Sequence, residues 1–408
     1  MSYTSRMFIA VWICMFLATF AISISSPAIP YLMKELVSVP DDPAKTEELT
    51  SMGIGVMLSL NSIALVIGSL FGGFISDKVG RRKSVLLAFA VLALGFILFI
   101  LSQSLTLLFT ASFLEMLGYY LASPSFIALI ADYTSHSSRG KGYGIFNLSW
   151  ITAQIPAPIL GGYLAELLGL KIPFYLSLLM AIATIPFSLM VPRQVYKEEI
   201  LNESTNCTED NDSLPPMPLR KVLTLFTMSY LISGLANGFV NALINSYVIF
   251  DLGASTAEFG LVSSLGFGLV TALAQIPGGK LADKFGRKPL VLSSGLIIPL
   301  IPVLAFTSSI WQFILVLAFI CLIGNISSPA INAWLMESVP SSRRASASGL
   351  TRMANGIGMA VGPILGSYSW SSTGSAASFS ITGLIFSIQL IPYLKIRETY
   401  AKRRKVLK

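Results

Sequence analysis

Apolar residues run in long unbroken stretches along this chain, separated by short polar ones. The apolar stretches cover 7–33, 51–75, 84–109, 111–131, 142–170, 172–192, 222–250, 259–282, 289–308, 310–336, 345–370 and 375–394. Each is long enough for the roughly 20 residues that cross a bilayer as helix. Twelve such stretches predict an all-α, polytopic membrane protein. Composition agrees: the 408 residues are 54% apolar and 12% charged, with mean hydropathy +0.73. Soluble domains are nearer about 25% charged, and a soluble enzyme could not hide this much apolar surface. The first stretch follows Arg6 as a signal sequence would. It is too long for a signal core and lacks a convincing small-residue cleavage site, so it reads as a retained first helix.

Few residues suit metal or thiol chemistry. Cys14, Cys207 and Cys321 are dispersed, which indicates neither a disulfide framework nor a metal site. The single histidine, His136, falls in a loop and reads as solvated, so no metal and no cofactor is expected. The net charge of +8 would suit nucleic acid, but its distribution points to a membrane. With the N-terminus inside, the inner segments are that terminus, 76–83, 132–141, 193–221, 280–288, 337–344 and the tail from 395. They hold 24 of the 28 Lys and Arg residues, a positive-inside pattern that places both termini in the cytoplasm of a cell-membrane protein. The basic tail "KIRETYAKRRKVLK" reads as an anchor at anionic headgroups of the lipid bilayer.

Residues 193–220 are acidic, Ser/Asn-rich and punctuated by proline, the signature of a flexible cytoplasmic linker. Glycosylation-like triplets at Asn202, Asn206 and Asn211 fall inside it, on the wrong side for modification. The linker separates residues 1–192 from 221–394, each with six predicted helices, and a basic tail closes the chain over 395–408. The halves repeat one another. "APILG" at 157–161 returns as "GPILG" at 362–366, and "ASPSF" at 122–126 as "SSPAI" at 327–331, both at an offset of 205. Asp132 then lies opposite Glu337, and Arg139 opposite Arg344. A third pair, "GGFISDKVGRRK" at 72–83 and "GGKLADKFGRK" at 278–288, is offset by 206. Two like-oriented six-helix bundles with a midplane site between them are a transporter architecture.

The third pair carries a family resemblance. Gly73, Asp77, Lys78, Gly80, Arg81 and Arg82, between helices two and three, match the loop signature of the major facilitator superfamily. Gly279, Asp283, Lys284, Gly286, Arg287 and Lys288 match its second copy, between helices eight and nine. The chain resembles that superfamily over essentially its whole length. The physical reading runs beside the resemblance. Gly80 and Gly286 give a short turn its backbone freedom. Gly73 and Gly279 are expected to let helices approach closely. Asp77 and Asp283, at helix ends, can pair with arginine or accept from a helix N-terminus. The positive-inside rule explains Arg and Lys here but not an aspartate at one register in both halves. A gating latch between the bundles explains both.

Two charges lie inside predicted helices. Glu115 sits about two turns within helix four, where many members of the superfamily carry an arginine and this chain has Ser112. An intramembrane acid costs several kcal/mol to bury, so Glu115 is a candidate proton carrier, or else a structural acid bonded to Tyr119. Arg352, two turns into helix eleven, either snorkels to the interface or meets substrate. Helix five carries "AQIPAPILGG", which resembles the antiporter signature of the superfamily through Pro158, Gly161 and Gly162, with Ala157 in place of its leading glycine. Helix eleven keeps Gly358, Gly362, Pro363 and Gly366. Such residues allow kinks and tight crossings. Helices one, four, seven and ten would line the cavity by the same resemblance. Helix seven presents Asn237, Asn241 and Asn245 as one stripe, helix ten Asn325 and Asn332 with Trp334 nearby, and helix four Tyr119 and Tyr120. Asn147, Gln154 and Gln275 are weaker candidates.

The resemblance implies a secondary transporter, not an enzyme. It would move a small-molecule substrate by alternating access, as a monomer, coupled to protons or another ion, and resembles the drug/proton antiporters among its exporters. An uptake symporter or uniporter of a sugar or organic acid stays open, as does a sensor derived from a transporter. No phosphate-binding loop for ATP is present, and nothing indicates a nucleic-acid partner.

Overall fold

A computed structural model describes residues 3–133, 139–191, 217–340 and 343–397. His136, Cys207, the linker asparagines, most of the linker and the tail beyond Arg397 lie outside the described residues, as do the side chains of Asp132, Arg139 and Gln275. Every described element is helical: α1 (Tyr3–Ser25), α2 (Ala28–Leu36), α3 (Pro43–Val79), α4 (Arg81–Ile100), α5 (Leu105–Tyr133), α6 (Arg139–Gln154), α7 (Pro156–Leu168), α8 (Ile172–Ser188), α9 (Leu219–Ser246), α10 (Thr256–Leu261), α11 (Val270–Phe285), α12 (Arg287–Ser293), α13 (Ile310–Ile326), α14 (Ser328–Glu337) and α15 (Arg344–Lys395). Wider π-helical turns follow α9 and α10, over Tyr247–Asp251 and Val262–Leu269.

Nine helical spans among the described residues, several running through more than one of these elements, are long and apolar enough to cross a membrane. The difference from twelve has physical causes. Predicted helix five is broken where α6 meets α7, because Pro156 and Pro158 each remove a backbone donor. Predicted helix six survives as the 17-residue apolar α8. The 52 residues of α15 include a non-helical Gly374, with φ 79° and ψ 173°. At about 1.5 Å per residue this segment would measure roughly 78 Å, well over two hydrocarbon cores of about 30 Å. It therefore holds both of the last two predicted helices, turned at a glycine.

The chain forms two compact units, residues 1–195 with 244–269, and residues 196–243 with 270–408. The first contains α1–α8 together with the end of α9, α10 and the π-helical turns. Its interior holds Phe89, Phe96, Phe99, Phe126 and Phe174, all fully buried; the rings of Phe99 and Phe174 stack at 4.8 Å. Ser255 caps α10 with a reciprocal capping box to Glu258, and Asp42 caps α3. In the second unit Phe226, Trp334 and Tyr393 form an aromatic centre, with ring centroids 5.6–6.1 Å apart. Both units expose large apolar side chains on their outer helices, among them Leu70, Leu179, Leu315, Phe319 and Leu384. Lipid is the solvent that such a surface suits.

Close helix approaches fall one residue from where the sequence suggested. A Cβ on Gly73 or Gly279 would meet nothing, whereas one on Gly72 would strike the Leu121 carbonyl oxygen at 2.5 Å and one on Gly278 the Ile326 carbonyl oxygen at 2.5 Å. Neighbouring residues point about 100° apart around a helix, so only one glycine of each pair can face the partner. Gly72→Leu is accordingly expected to lower the melting temperature of the purified protein by several degrees, an overpacking cost of about 1–3 kcal/mol. Gly73→Leu is expected to leave it nearly unchanged. Thermal unfolding of both variants in detergent checks the contrast.

Candidate functional site

The two repeated turns fold alike. Gly80, with φ 94°, ends α3 and starts α4; Gly286, with φ 98°, does the same between α11 and α12. Side-chain-bearing residues avoid such values, so glycine is required at both. Across the first turn Arg81 Nη1 donates to Asp77 Oδ1 at 2.8 Å and to Ser76 Oγ at 2.7 Å. Across the second Arg287 Nη1 donates to Asp283 Oδ1 at 2.7 Å, and Nη2 to Glu337 Oε1 at 3.2 Å. Asp77 and Asp283 are each 70% exposed, while Arg81 and Arg287 are 20% and 11% exposed. Exposed pairs of this kind add little stability. Arg287 is the more enclosed of the two arginines and bridges two carboxylates. Lys78 lies over the Phe74 ring at 4.2 Å and Lys284 near Phe285 at 5.3 Å. Arg82 is half-buried. Lys288 Nζ donates to the carbonyls of Leu394 and Ile396, both at 2.7 Å, where α15 ends.

Inside the first unit Glu115 is fully buried. Its Oε1 lies 3.4 Å from Ser25 Oγ, and its Oε2 has no hydrogen-bond partner among the described residues. Ser25 closes α1 just before the chain breaks at Pro27, and its hydroxyl also donates to the carbonyls of Ala21 and Ile22. Ser112 is buried and donates to Asn61 Oδ1 at 2.7 Å. Tyr119 bonds Thr19 at 3.2 Å, not Glu115, and meets Tyr120 edge-on. Asn61, Ser25 and Thr19 are the partners in these three separate pairs. They went unremarked in the sequence because short polar residues are common in apolar helices. Pro158, Gly161 and Gly162 seat α7 against two neighbours. A Cβ on Gly161 would collide with the Ile24 carbonyl, and one on Gly162 with that of Thr256. Thr256 Oγ1 donates to the Gly162 carbonyl at 3.0 Å, and the Glu166 carboxylate accepts from the Ala257 N–H at 3.0 Å.

In the second unit Asn237 and Asn241 are exposed; Asn245, which belongs to the first unit, is half-buried. Asn237 Nδ2 donates to the Ser233 carbonyl. Asn325 donates to the Cys321 carbonyl within α13. Asn332 lies beyond the break at Ser327, on α14, and accepts from Tyr230 at 3.2 Å. Their spacing of seven therefore does not run along one continuous helix. Trp334 is a correction: it is fully buried, donates to the Arg397 carbonyl at 3.2 Å and packs on Phe226 and Tyr393. Arg352 is exposed. Gly362, Pro363 and Gly366 fit α15 against α9, Gly366 facing the Phe239 carbonyl and Pro363 filling the space beside Gly238. Tyr230 joins Asn332 to Asn355, whose Nδ2 donates to the Tyr230 carbonyl at 3.1 Å. It had no charge or motif to mark it.

A paired loop signature, a buried intramembrane acid and polar faces on otherwise apolar helices define a membrane transporter. The model of the Major Facilitator Superfamily matches residues 11–225 and again 226–407, and the chain belongs to that family: it is a multi-pass membrane protein and a secondary transporter. It is 24% identical to the multidrug resistance protein MdtG of Proteus mirabilis over 393 residues, covering 93% of both chains. It is 27% identical to the minor myo-inositol transporter IolF of Bacillus subtilis over 324 residues, covering 74% of this chain and 72% of that one. The crystal structure of a D-xylose–proton symporter superposes with TM-score 0.75 at 17% identity, covering 98% of this chain and 99% of that one.

The second turn makes a prediction. Arg287→Gln removes a guanidinium that donates to both Asp283 and Glu337 and is expected to lower the melting temperature several degrees, at about 1–3 kcal/mol. An unchanged melting temperature in thermal unfolding of the purified variant would contradict it.

Proposed function

We propose that this protein exports a small solute from the cell in exchange for protons, by alternating access of two six-helix halves in the cell membrane. Both termini and the linker face the cytoplasm in this reading, and the monomer is the working unit. The observation that carries it is Glu115, a carboxyl wholly enclosed within the membrane span with one oxygen unpartnered. A fixed negative charge there would be costly. A carboxyl that takes and releases a proton as the helices move has a reason to stay. Its neighbour Ser25 has one hydroxyl proton and three acceptor oxygens in reach. With that proton on a carbonyl, a protonated Glu115 can itself donate to Ser25 Oγ, and an ionised one cannot. Because Ser25 sits at the break in the first helix, the proton on Glu115 is coupled to the angle of that helix.

Export is favoured by the Pro-Gly-Gly contacts of α7 and by the likeness to a protein named for multidrug resistance over nearly the full length. Uptake in symport is the second reading, favoured by the likeness to a myo-inositol transporter. In either direction Asp77 and Asp283 act as latches that hold the halves together on the cytoplasmic side in one state and release them in the other. Asn237, Asn241, Asn245, Asn325, Asn332 and Tyr119 contribute to the solute path.

Proteoliposomes with an imposed pH gradient and a panel of solutes test the proposal. Wild-type protein is expected to move at least one solute against its gradient, driven by protons entering on the opposite course. Glu115→Gln is expected to lose the pH-gradient dependence while keeping passive exchange of that solute. An unchanged gradient dependence would remove Glu115 from the coupling. Asp77→Asn is expected to cut the rate at least about tenfold, the loss of one charge-assisted hydrogen bond, with membrane insertion intact. Normal transport by that variant would sink the latch.

A further inference from the structure

Arg352 occupies a particular side of its helix. At about 100° per residue, exposed Leu350, Ile357, Val361 and Ile364 cluster about 120–180° around α15 from it. That apolar stripe is the lipid-facing side, so Arg352 points away from lipid and does not snorkel along it. It turns toward polar company. Tyr230 on α9 is within electrostatic range of its guanidinium. The Tyr230 hydroxyl donates to Asn332 Oδ1 at 3.2 Å, and Asn355, three residues beyond Arg352, holds the Tyr230 backbone. Three helices thus converge on one spot, roughly 8–17 Å along each from the end that bears the Arg287 pair, at about 1.5 Å per residue.

The polar face continues upward. Tyr230, Ser233, Asn237 and Asn241 fall within an arc of about 80° on α9. Met359 lies two turns above Arg352 on nearly the same side of α15, an adaptable apolar surface. The donors in this group are unequally engaged. Asn237 and Asn332 each spend an amide hydrogen on their own helix. The five guanidinium hydrogens of Arg352 have no acidic partner among the described residues; the ion pairs there involve only Arg81 and Arg287. An uncompensated cation at membrane depth is unfavourable until an anion reaches it.

We infer that Arg352, Tyr230 and Asn332 form a binding subsite for the carboxylate, or a group of like shape and charge, of a small amphipathic monoanion, whose apolar body lies along Met359. A planar guanidinium matches a carboxylate through two parallel hydrogen bonds. Tyr230 presents its hydroxyl beside that pair, held in place by Asn332. The inference narrows the substrate class and rests on the transporter reading only in taking this face as part of the solute path. It needs neither proton coupling nor a direction.

Binding without any gradient is therefore the test. The full chain in nanodiscs is titrated calorimetrically with 4-phenylbutyrate, 4-phenylbutanamide and 4-phenylbutylamine, which share a body and differ in charge. Wild type is expected to bind the carboxylate at least about tenfold more tightly than the amide or the amine. Arg352→Gln should abolish that preference, Arg352→Lys should retain part of it, and Tyr230→Phe should weaken carboxylate binding severalfold. Melting curves of each variant show that it is folded. No carboxylate binding, equal binding of the three probes, or a preference that survives in Arg352→Gln would overturn the assignment. Because binding is measured with no gradient, a failure of proton coupling and a failure of this subsite are distinguishable.

Discussion

Hydrocarbon offers no hydrogen bonds, so each polar group within the membrane must find its partner in the protein. The departures from regular helix in this chain follow from that constraint. Close to the proline break between α6 and α7, Ser264 Oγ donates to the Ile155 carbonyl at 2.6 Å. Where the first helix breaks, Ser25 and Ser26 return hydroxyls to carbonyls three and four residues back. Serine and threonine serve as internal solvent at these points. Glycine does the complementary work, bringing backbones so close that no side chain could intervene. Among the described residues a few buried hydroxyls and one guanidinium nitrogen lack a partner, but Glu115 Oε2 is the one carboxyl oxygen in that group.

Much of the architecture was legible because its causes are local. Apolar length measures the bilayer, and a duplicated turn repeats the same glycine, aspartate and arginine. The matches of the family model to two consecutive stretches follow the same internal duplication. Features that depend on helix rotation were not legible. Gly72 and Gly73 are identical in sequence, and only the phase of α3 against α5 makes one a contact and the other open. Trp334 beside Asn332 suggested a polar lining, yet the break at Ser327 turns it into the aromatic centre with Phe226 and Tyr393. Arg352 could be placed by depth but not by side until the exposed residues of α15 were seen together. Tyr230 has neither charge nor motif, and its place emerges only from its bonds to Asn332 and Asn355 and its packing on the aromatic centre.

The two units place unlike chemistry in like halves. The first encloses an acid near a broken helix; the second exposes a base beside a phenol and an amide. In the reading developed above, the acid senses protons and the base senses solute. In the same reading the paired turns control access. A division of this kind allows the driving ion and the cargo to change independently, since neither residue contacts the other's partners among the described residues.

The central claim is that Glu115 gains and loses a proton inside the membrane. Infrared difference spectroscopy of the reconstituted protein during a pH titration reads it directly, through the carbonyl stretch of a protonated carboxyl. The account predicts a band that disappears on alkaline titration and is missing from Glu115→Gln at every pH. A spectrum in which wild type and Glu115→Gln share the same carboxyl bands throughout would contradict it.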